Sequence, residues 1–381
     1  MLPFTYSIRN LMRTPSRTVQ LVVGAFMVVL LVISASAFNR GMDRSLVNCG
    51  SPDNVILLTA GSESSAERSQ IAAGTPSVVS AGIRGIKTVL GRESVSREIH
   101  YMGYFKDRNK VEYNAFFRGV DSSALLVHRK VALLEGTFPG TNEIMVGRLT
   151  WRRLGMQPED LKVGETLMFE GHPFRISGIF AALGTAFESE IWMDLNDLMT
   201  FTRRTTVSCI VMTLDGATFD DVDLFCKQRL DLELSAVHEP DYYRKLSAFY
   251  TPIRVMTWLT ACLIASGAIF GGLNTMYAAY VSRKRELATL QAVGFSRAPL
   301  LISMLQEALL VNLAGALMAI CAALLLLDGL SISFSTGMFT MVFDGFTAVL
   351  SPIVGALLAI VGIMAPAWNC LKPQLISALR S

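Results

Sequence analysis

The side chains that could carry out chemistry are few and lie far apart in this 381-residue sequence. It contains no C-x-x-C, no H-E-x-x-H and no G-x-x-x-x-G-K-S/T phosphate loop, so it has no recognisable metal site or nucleotide-binding loop. A lone histidine is more often a surface or hydrogen-bonded residue than a ligand or a base. We therefore expect a non-catalytic chain that binds no metal and no cofactor. The scattered histidines are His100, His128, His172 and His238.

The six cysteines show no metal-binding spacing either. Three of them lie in one polar region, which leaves open a disulfide between two, with the third unpaired; they are Cys49, Cys209 and Cys226. The other three lie in apolar runs, where a free cysteine acts as a small packing residue; they are Cys262, Cys321 and Cys370.

The elements that position these residues include four apolar runs, each long enough to cross a membrane. They cover residues 18–40, 251–280, 300–327 and 346–368. Between the first and second lies a polar insert, residues 41–250, in which strand-like and helix-like segments alternate. We predict an α-helical membrane protein with four transmembrane helices and a large α+β extracytoplasmic domain.

Basic residues on the short flanks predict the orientation, because positive residues stay on the cytoplasmic side. They occur in residues 1–17, 281–299 and 369–381, whereas the loop 328–345 has none. Both termini are therefore predicted to be cytoplasmic, and residues 41–250 face outward. Residues 1–17 have the pattern of an amphipathic interfacial helix that Pro15 ends, with a disordered basic tail as the alternative. The outward region has a slight excess of acids, which gives no reason to propose nucleic acid.

The outward region shows short branched or aromatic runs typical of strands, separated by helical patterns. We predict strands at 54–59, 98–105, 115–120, 143–146, 166–169, 174–180, 191–193 and 209–214, and helices at 121–130, 148–154, 195–204 and 217–230. Residues 184–190, GTAFESE, join two of these strands. Residues 239–250 read either as a lead-in helix continuous with the second span or as an interfacial aromatic belt of Tyr242, Tyr243, Phe249 and Tyr250.

Small and polar residues in two spans indicate helix packing. In the second span, small residues at G-x-x-x-G spacing would let two helices approach closely, and a nearby amide could bond across that interface; these residues are Gly267, Gly271, Gly272 and Asn274. In the third span Glu307 and Asn312 are strongly polar. A carboxylate is costly in a membrane unless it is paired, so we expect Glu307 to neutralise Arg283 or Arg297 rather than to relay protons.

The segment 281–299 combines basic residues with an apolar helical face and a glycine stop. One interpretation is a basic loop that only records topology. The other is a helix that docks on a cytoplasmic partner, its charges binding acidic groups and its apolar face filling a groove. The candidate contacts are Arg283, Lys284, Arg285, Glu286, Leu287, Leu290, Val293, Gly294, Phe295 and Arg297.

Several stretches resemble the stand-alone permease subunits of MacB/FtsX-type ABC transporters, which include MacB-like, DevC-like and lipoprotein-releasing permeases. RKRELATLQAVGFSR followed by LLISMLQEALL resembles the family's cytoplasmic pattern, with Glu307 at the position of its acid in the third span. LLEGTFPGTNEIMVGRLTWRRLG and KVGETLMFEGHPFRISGIF resemble its periplasmic core pattern. The order of spans and domain also matches over essentially the whole sequence.

The resemblance implies partners that composition does not show. Such permeases work in pairs, as homodimers or with a close paralogue, and with two copies of a cytoplasmic ABC ATPase that binds ATP and Mg²⁺. MacB carries its own ATPase and this sequence does not, so the ATPase would be a separate chain and 281–299 its coupling helix. A periplasmic adaptor and an outer-membrane channel accompany many such exporters.

The resemblance also implies a function and a place in the cell. It implies a bacterial inner-membrane permease whose outward domain moves when ATP is hydrolysed, exporting or extracting an amphiphilic or lipid-like substrate. The alternative is an FtsX-like regulatory scaffold that signals across the membrane to a periplasmic protein such as a cell-wall hydrolase.

Overall fold

The computed structural model describes residues 4–106, 111–169, 171–281, 284–327, 329–334 and 337–371. The chain forms two compact units. A helical unit comprises Met1–Arg40, Pro252–Leu330 and Met341–Ser381, and a mixed unit comprises Gly41–Thr251 and Ser331–Thr340.

The described residues form helices of very different lengths. In chain order they are α1 (Phe4–Arg13), α2 (Pro15–Val47), α3 (Thr75–Gly82), α4 (Ala124–Val127), α5 (Thr150–Leu154), α6 (Leu195–Thr202), α7 (Phe219–Gln228), α8 (Glu239–Phe249), α9 (Thr251–Val281), α10 (Lys284–Ala292), α11 (Arg297–Leu326) and α12 (Gly345–Leu371). Short 3₁₀ turns occur at Pro158–Leu161, Ala186–Ser189 and Leu230–Leu232.

All strands formed by the described residues belong to the mixed unit. In chain order they are β1 (Asn54–Thr59), β2 (Ile71–Ala72), β3 (Thr88–Val89), β4 (Arg92–Glu93), β5 (Val95–Lys106), β6 (Glu112–Val120), β7 (Ala132–Gly136), β8 (Glu143–Gly147), β9 (Thr166–Phe169), β10 (His172–Ala181), β11 (Ile191–Asp194), β12 (Thr206–Val207), β13 (Cys209–Thr213), β14 (Leu234–His238), β15 (Ser331–Phe334) and β16 (Gly337–Thr340).

Among its described residues, the helical unit contains four helices that are long and apolar enough to cross a membrane, α2, α9, α11 and α12. Small residues let them pack closely. A Cβ on Gly315 of α11 would lie 2.8 Å from Ala25 Cβ and from the Val22 carbonyl oxygen of α2, so only glycine allows this backbone approach. Apolar side chains from α2, α11 and α12 fill the space around this contact, including Val29 and Ile33, which are fully buried.

The mixed unit is built on a ten-stranded sheet in the order β14-β1-β13-β5-β6-β11-β8-β10-β7, with β9 paired to β10 and β5. Most neighbours are antiparallel, whereas β11–β6 and β10–β8 are parallel. Alternate side chains of these strands enter one apolar core together with α3, α6 and α7. The unit is therefore an α+β domain, as the sequence predicts.

A loop in this unit passes unusually close to the sheet. The segment before β11 lies against Gly147 at the end of β8, where a Cβ would come within 2.3 Å of the Glu188 carbonyl oxygen. Thr150 Oγ1 donates a hydrogen bond to the Glu190 carbonyl at 3.1 Å. Glycine at position 147 thus places residues 186–190 over the sheet, with Glu188 and Glu190 both buried.

The structure corrects several sequence predictions. The predicted helix at 121–130 is reduced to the single turn α4, because the segment forms turns at both ends. The loop 328–345 contains the hairpin β15–β16, whose Phe339 is buried against Tyr250 of the mixed unit. The first apolar run lies in a helix that starts at Pro15 itself, where proline fits the first helical turn.

Residues 239–250 match neither interpretation offered by the sequence. The helix α8 ends at Phe249, Tyr250 follows with φ −86° and ψ 3°, and α9 begins at Thr251, so the helix is interrupted before the second span. Tyr242, Tyr243 and Tyr250 are buried within the mixed unit, and Phe249 alone of the four is 79% exposed. An interfacial aromatic belt is therefore wrong for three of these residues.

Candidate functional site

The helix α10 lies between two membrane-length helices and is joined to the N-terminal helix. Tyr6 Oη in α1 donates a hydrogen bond to Glu286 Oε1 in α10 at 2.7 Å. The buried hydroxyl of Ser7 lies 3.2 Å from that of Ser303 in α11. Because α1 contacts both α10 and α11, it fixes α10 against the helical unit.

The apolar residues of α10 divide between the inside and the outside. Leu290 packs against an internal cluster that includes Met276, Leu300 and Met304, whereas Val293, just beyond the last turn, is 73% exposed. Of the residues on the predicted docking face, Val293 is therefore accessible at the surface, whereas Leu290 packs inside the helical unit. Of the other predicted contacts, Lys284, Arg285 and Leu287 belong to α10, Phe295 is half-buried, Arg297 is exposed at the start of α11, and Arg283 lies outside the described residues.

The helix ends at Gly294 in the way its sequence predicts. Gly294 has φ +106°, its N–H donates to the Gln291 carbonyl at 3.0 Å, and the Phe295 N–H donates to the Leu290 carbonyl at 3.1 Å. This pair of hydrogen bonds with a left-handed glycine is the Schellman motif. It turns the chain sharply, so that α11 starts three residues later with Ser296 at its N-cap.

The glycines of α9 face open space. Apart from the adjoining residues and the helix's own backbone, no atom lies within 4 Å of a Cβ built on Gly267, Gly271 or Gly272, and Asn274 is exposed. Only 6% of the apolar window of α9 is buried, against 39%, 33% and 33% for α2, α11 and α12. The helix therefore leaves most of its surface uncovered within one chain.

The polar residues of α11 are buried. Glu307 is 5% exposed, and Asn312, 9% exposed, donates from Nδ2 to the Ala308 carbonyl at 2.8 Å. Arg297 lies ten residues before Glu307 in the same helix, about 15 Å along the axis at 1.5 Å per residue, which is too far for direct contact. The other predicted partner, Arg283, is outside the described residues. Asn312 also lines a cavity of about 310 Å³ bordered by Gly271 and Gly272.

A second site, which the sequence does not reveal, lies inside the mixed unit. Six titratable side chains meet there, each at most 6% exposed. Strand pairing of β5 with β6 brings two of them opposite each other, since His100 is in register with Arg118. We call this group the buried ionic cluster; its members are Glu98, His100, Arg118, His128, Glu190 and Glu239.

Arg118 is the centre of the cluster. Its Nε and Nη2 donate to the two carboxylate oxygens of Glu190 at 2.7 and 2.8 Å. Its Nη1 lies 2.6 Å from Glu98 Oε2 and 2.6 Å from His100 Nε2. The Trp192 indole also donates to Glu190, at 2.9 Å. Bidentate pairing of this kind is the strongest form of a buried ion pair.

His128 links the cluster to α8. Its Nε2 lies 2.6 Å from Glu98 Oε1, and its Nδ1 lies 3.7 Å from Glu239 Oε1. Glu239 opens α8, and its Oε2 accepts hydrogen bonds from the Ser51 backbone N–H at 2.8 Å and from Asn54 Nδ2 at 2.9 Å. The start of α8 is thereby tied to the sheet through charges that water does not reach.

The cluster shifts the pKa values of its two histidines in opposite directions. Burial, and then Arg118, lower the pKa of His100. Burial also opposes the charging of His128, but Glu98 overcomes it and raises the pKa of His128. For Glu98, burial favours the neutral acid, yet His128 and Arg118 hold its pKa well below the usual range. The resulting state has neutral His100, charged His128 and ionised Glu98.

The donor atoms of Glu98, His100 and Cys209 lie within 4.8 Å of one another, a spacing that a metal ion could use. The guanidinium of Arg118, however, is 2.6 Å from both the carboxylate and the imidazole nitrogen. A metal cation would have to displace this positive group, and burial keeps the Cys209 thiol protonated by raising its pKa far above the ordinary value. These residues fit an ionic cluster and not a metal site.

The cysteines of the mixed unit are separate free thiols. Cys49, Cys209 and Cys226 are all buried and none forms a disulfide. Cys49 Sγ accepts the Ala186 N–H at 3.3 Å, so it packs beneath the loop that carries Glu190. The disulfide that the sequence left open is therefore absent between these three residues.

Comparison with known families gives a match in each of the two units. A profile of MacB-like periplasmic core domains matches residues 20–223, which is more than half of the chain. A profile of FtsX-like permease C-terminal regions matches residues 258–375. The chain belongs to the MacB/FtsX-type family of ABC permeases. The short helix α10 lies within the FtsX-like match, and the members of the buried ionic cluster other than Glu239 lie within the MacB-like match.

One curated relative is similar to part of this chain. The macrolide export ATP-binding/permease protein MacB of Mannheimia succiniciproducens is 27% identical over 235 residues, 58% of this chain and 36% of that protein. The chain thus spans about a third of that relative's length.

Two solved structures are similar to about half of this chain. The periplasmic region of MacB from Actinobacillus actinomycetemcomitans has a TM-score of 0.39 at 10% identity, covering 50% of this chain and 91% of that one. The extracellular domain of the ABC-type transporter YknZ from Gram-positive bacteria has a TM-score of 0.37 at 14% identity, covering 48% of this chain and 99% of that one.

Proposed function

We propose that this chain is a permease subunit that couples ATP hydrolysis by a separate cytoplasmic ABC ATPase to movement of its outward domain. It would lie in the bacterial inner membrane with both termini cytoplasmic, as a pair of permeases bound to two ATPase copies. The chain itself would bind no nucleotide; ATP and Mg²⁺ would bind the ATPase.

The observation that carries this proposal is the exposed end of α10. Val293 presents an apolar surface directly before the Gly294 turn, while Leu290 and the Tyr6–Glu286 hydrogen bond fix the helix to the rest of the unit. A short rigid helix with one exposed apolar anchor fits a groove on a partner, because a preorganised anchor loses little entropy on binding.

The test is the substitution Val293→Glu in the full chain, co-expressed with its cognate ABC ATPase. A charge placed in an apolar groove should reduce recovery of the ATPase by at least about tenfold, equivalent to ~1.4 kcal/mol, and abolish stimulation of its hydrolysis. Val293 is exposed, so the permease should still fold and insert. Leu290→Glu is less informative, because Leu290 packs inside the bundle.

The matched control is Leu224→Glu, which places the same charge on an apolar residue 54% exposed in α7 of the mixed unit. It should leave both recovery and stimulation unchanged. Equal recovery and equal hydrolysis for Val293→Glu and the unaltered chain would overturn the coupling role.

An amphiphilic or lipid-like substrate is supported by a cleft in the helical unit. A cleft of about 650 Å³ lies between α2 and α9 and is lined mainly by apolar side chains. Three hydroxyl-bearing residues, Ser34, Thr257 and Thr260, border it as well. Apolar walls with a few polar groups suit a molecule with an acyl chain. The lining includes Leu31, Phe38, Ile253, Met256 and Ala261.

A further inference from the structure

The hydrogen bond between Arg118 and His100 requires one protonation state. Guanidinium groups only donate, so His100 Nε2, 2.6 Å from Arg118 Nη1, must accept and carry no proton. A proton bound at that nitrogen would point at the guanidinium. Such a proton would break this hydrogen bond, and Arg118 or His100 would have to move.

The groups that face His100 come from several elements. From its own strand, Glu98 Oε2 lies 3.2 Å from Nε2, and from β13 the Cys209 sulfur lies 3.8 Å away. Arg118 faces it from β6, and Glu190 acts on it from the loop before β11. These neighbours carry two negative charges and one positive charge.

A small cavity of about 60 Å³ borders His100 and Arg118. It adds four further titratable groups to their surroundings, which are Cys49, Glu67, Tyr242 and Tyr243. A water needs about 10–15 Å³ of such volume and two to four polar partners, so the cavity has room for a few waters that could deliver a proton.

The cluster joins elements that are distant in sequence. Glu239 holds the start of α8, and Glu190 holds the loop that follows the Ala186–Ser189 turn. In that turn, Ser189 Oγ accepts the Met338 N–H of the hairpin β15–β16 at 3.1 Å. A change of charge beside Arg118 can therefore alter the packing of both α8 and the hairpin, because hydrogen-bonded contacts connect them to the cluster.

We propose that His100 is a proton-binding site that makes the packing of α8 and of residues 186–190 on the sheet depend on pH. Protonation places a second cation beside Arg118 and weakens the bidentate hold on Glu190. It also draws Glu98 toward the imidazolium and away from His128, which faces Glu98, Glu239 and Arg118. The domain would thus respond to acid in the compartment that it faces.

The sign of the effect follows from linkage. The pKa of His100 is lowered on folding, by burial and Arg118, so its contribution is complete above the ordinary value of about 6.5 and is lost as pH falls through the folded pKa. The pKa of His128 is raised, so its contribution is complete below about 6.5 and is lost as pH rises through its folded value. The packing is therefore tightest between the two pKa values.

Hydrogen exchange of the purified full chain, measured from about pH 8 to about pH 5, tests this proposal. Relative to that of the α7 amides, exchange of the α8 amides should be lowest near the ordinary histidine pKa of about 6.5 and should rise by about tenfold as the pH falls further, because local opening exposes α8 and not α7. The ratio to α7 removes the intrinsic pH dependence of exchange. A constant α8-to-α7 ratio in the unaltered chain would overturn the proposal, whatever the variants do.

Two variants locate the proton. His100→Gln keeps an acceptor for Arg118 but cannot be protonated, so the acid transition should disappear, whereas His172→Gln, at an exposed histidine, should retain it. If His100→Gln exchanges fast already at neutral pH, His128→Gln decides the question, since it should keep the acid transition and lose the alkaline one. An acid transition that persists in His100→Gln, or vanishes in His128→Gln alone, contradicts the assignment.

Discussion

Arg118 satisfies two buried carboxylates at once. Replacing it with methionine keeps the volume but leaves Glu98 and Glu190 buried without their cation, which typically costs about 3–5 kcal/mol. We expect Arg118→Met to lower the thermal unfolding midpoint of the purified chain clearly at pH 7. The loss should shrink as the pH falls, because protonated carboxyl groups no longer need a counter-ion.

The control for this substitution is another arginine with an ion pair. Arg97 pairs with Asp121 at 2.9 Å, but its side chain is 42% exposed, and such surface pairs contribute only about 0–1 kcal/mol. Arg97→Met should therefore leave the midpoint almost unchanged. Similar shifts in the unfolding midpoint for both substitutions would show that burial does not determine how much the Arg118 contacts contribute to stability.

Individual site residues were only partly predictable from the sequence. The glycine stop at Gly294 depends on local backbone chemistry, and the structure has it where the pattern places it. The buried ionic cluster depends on strand register and on contacts between residues 20 to 72 positions apart, which no local pattern encodes. A usable signal did exist: Arg118 directly follows the apolar run AFF in β6, and an unpaired charge there is costly.

At the scale of elements, apolar length predicts the four long helices because it is the dominant free-energy term for each of them. The hairpin β15–β16 is absent from the sequence predictions, which give residues 328–345 only as a loop between two spans. Its sequence SISFSTGMFT does alternate polar and apolar residues with a central glycine, which is typical of a hairpin. The break at Tyr250 could not be predicted, since burial of that side chain depends on Phe339 from the distant hairpin.

The cleft between α2 and α9 leads to a prediction about these two helices. Met256 lines the cleft from α9, so Met256→Trp should fill part of its volume. In nanodiscs containing a photoactivatable diacyl phospholipid, labelling of residues 31–38 of α2 should fall several-fold, because the acyl chain is excluded by the larger side chain.

The same experiment contains its control. Leu263 lies further along α9, is 65% exposed and is not among the residues lining the cleft. Leu263→Trp should leave the labelling of residues 31–38 unchanged. Undiminished labelling in Met256→Trp would mean that lipid reaches α2 from elsewhere and that the cleft does not hold an acyl chain.

At the scale of the whole molecule, hydropathy and charge predict the division into a helical part and an α+β insert. They do so because a membrane and water impose opposite demands on surface composition. The structure refines that division, since the hairpin of residues 331–340 joins the mixed unit although it lies between two spans. A single sequence does not show directly which surfaces of two copies of the chain contact each other.

The uncovered face of α9 nevertheless makes a second copy testable. Glycines on an exposed helix face allow two identical helices to approach about a two-fold axis. Apart from the adjoining residues and the helix's own backbone, no atom lies within 4 Å of a Cβ at Gly267 or Gly271, so cysteine fits at either position. In a chain whose Cys262, Cys321 and Cys370 are replaced by serine, Gly267→Cys and Gly271→Cys should each give a covalent dimer as the main product of mild oxidation. Leu357→Cys, 55% exposed on α12, should stay monomeric, because that helix would face lipid. Crosslinking at Leu357 but at neither glycine would move the pairing surface from α9 to α12, and monomers throughout would contradict pairing through α9.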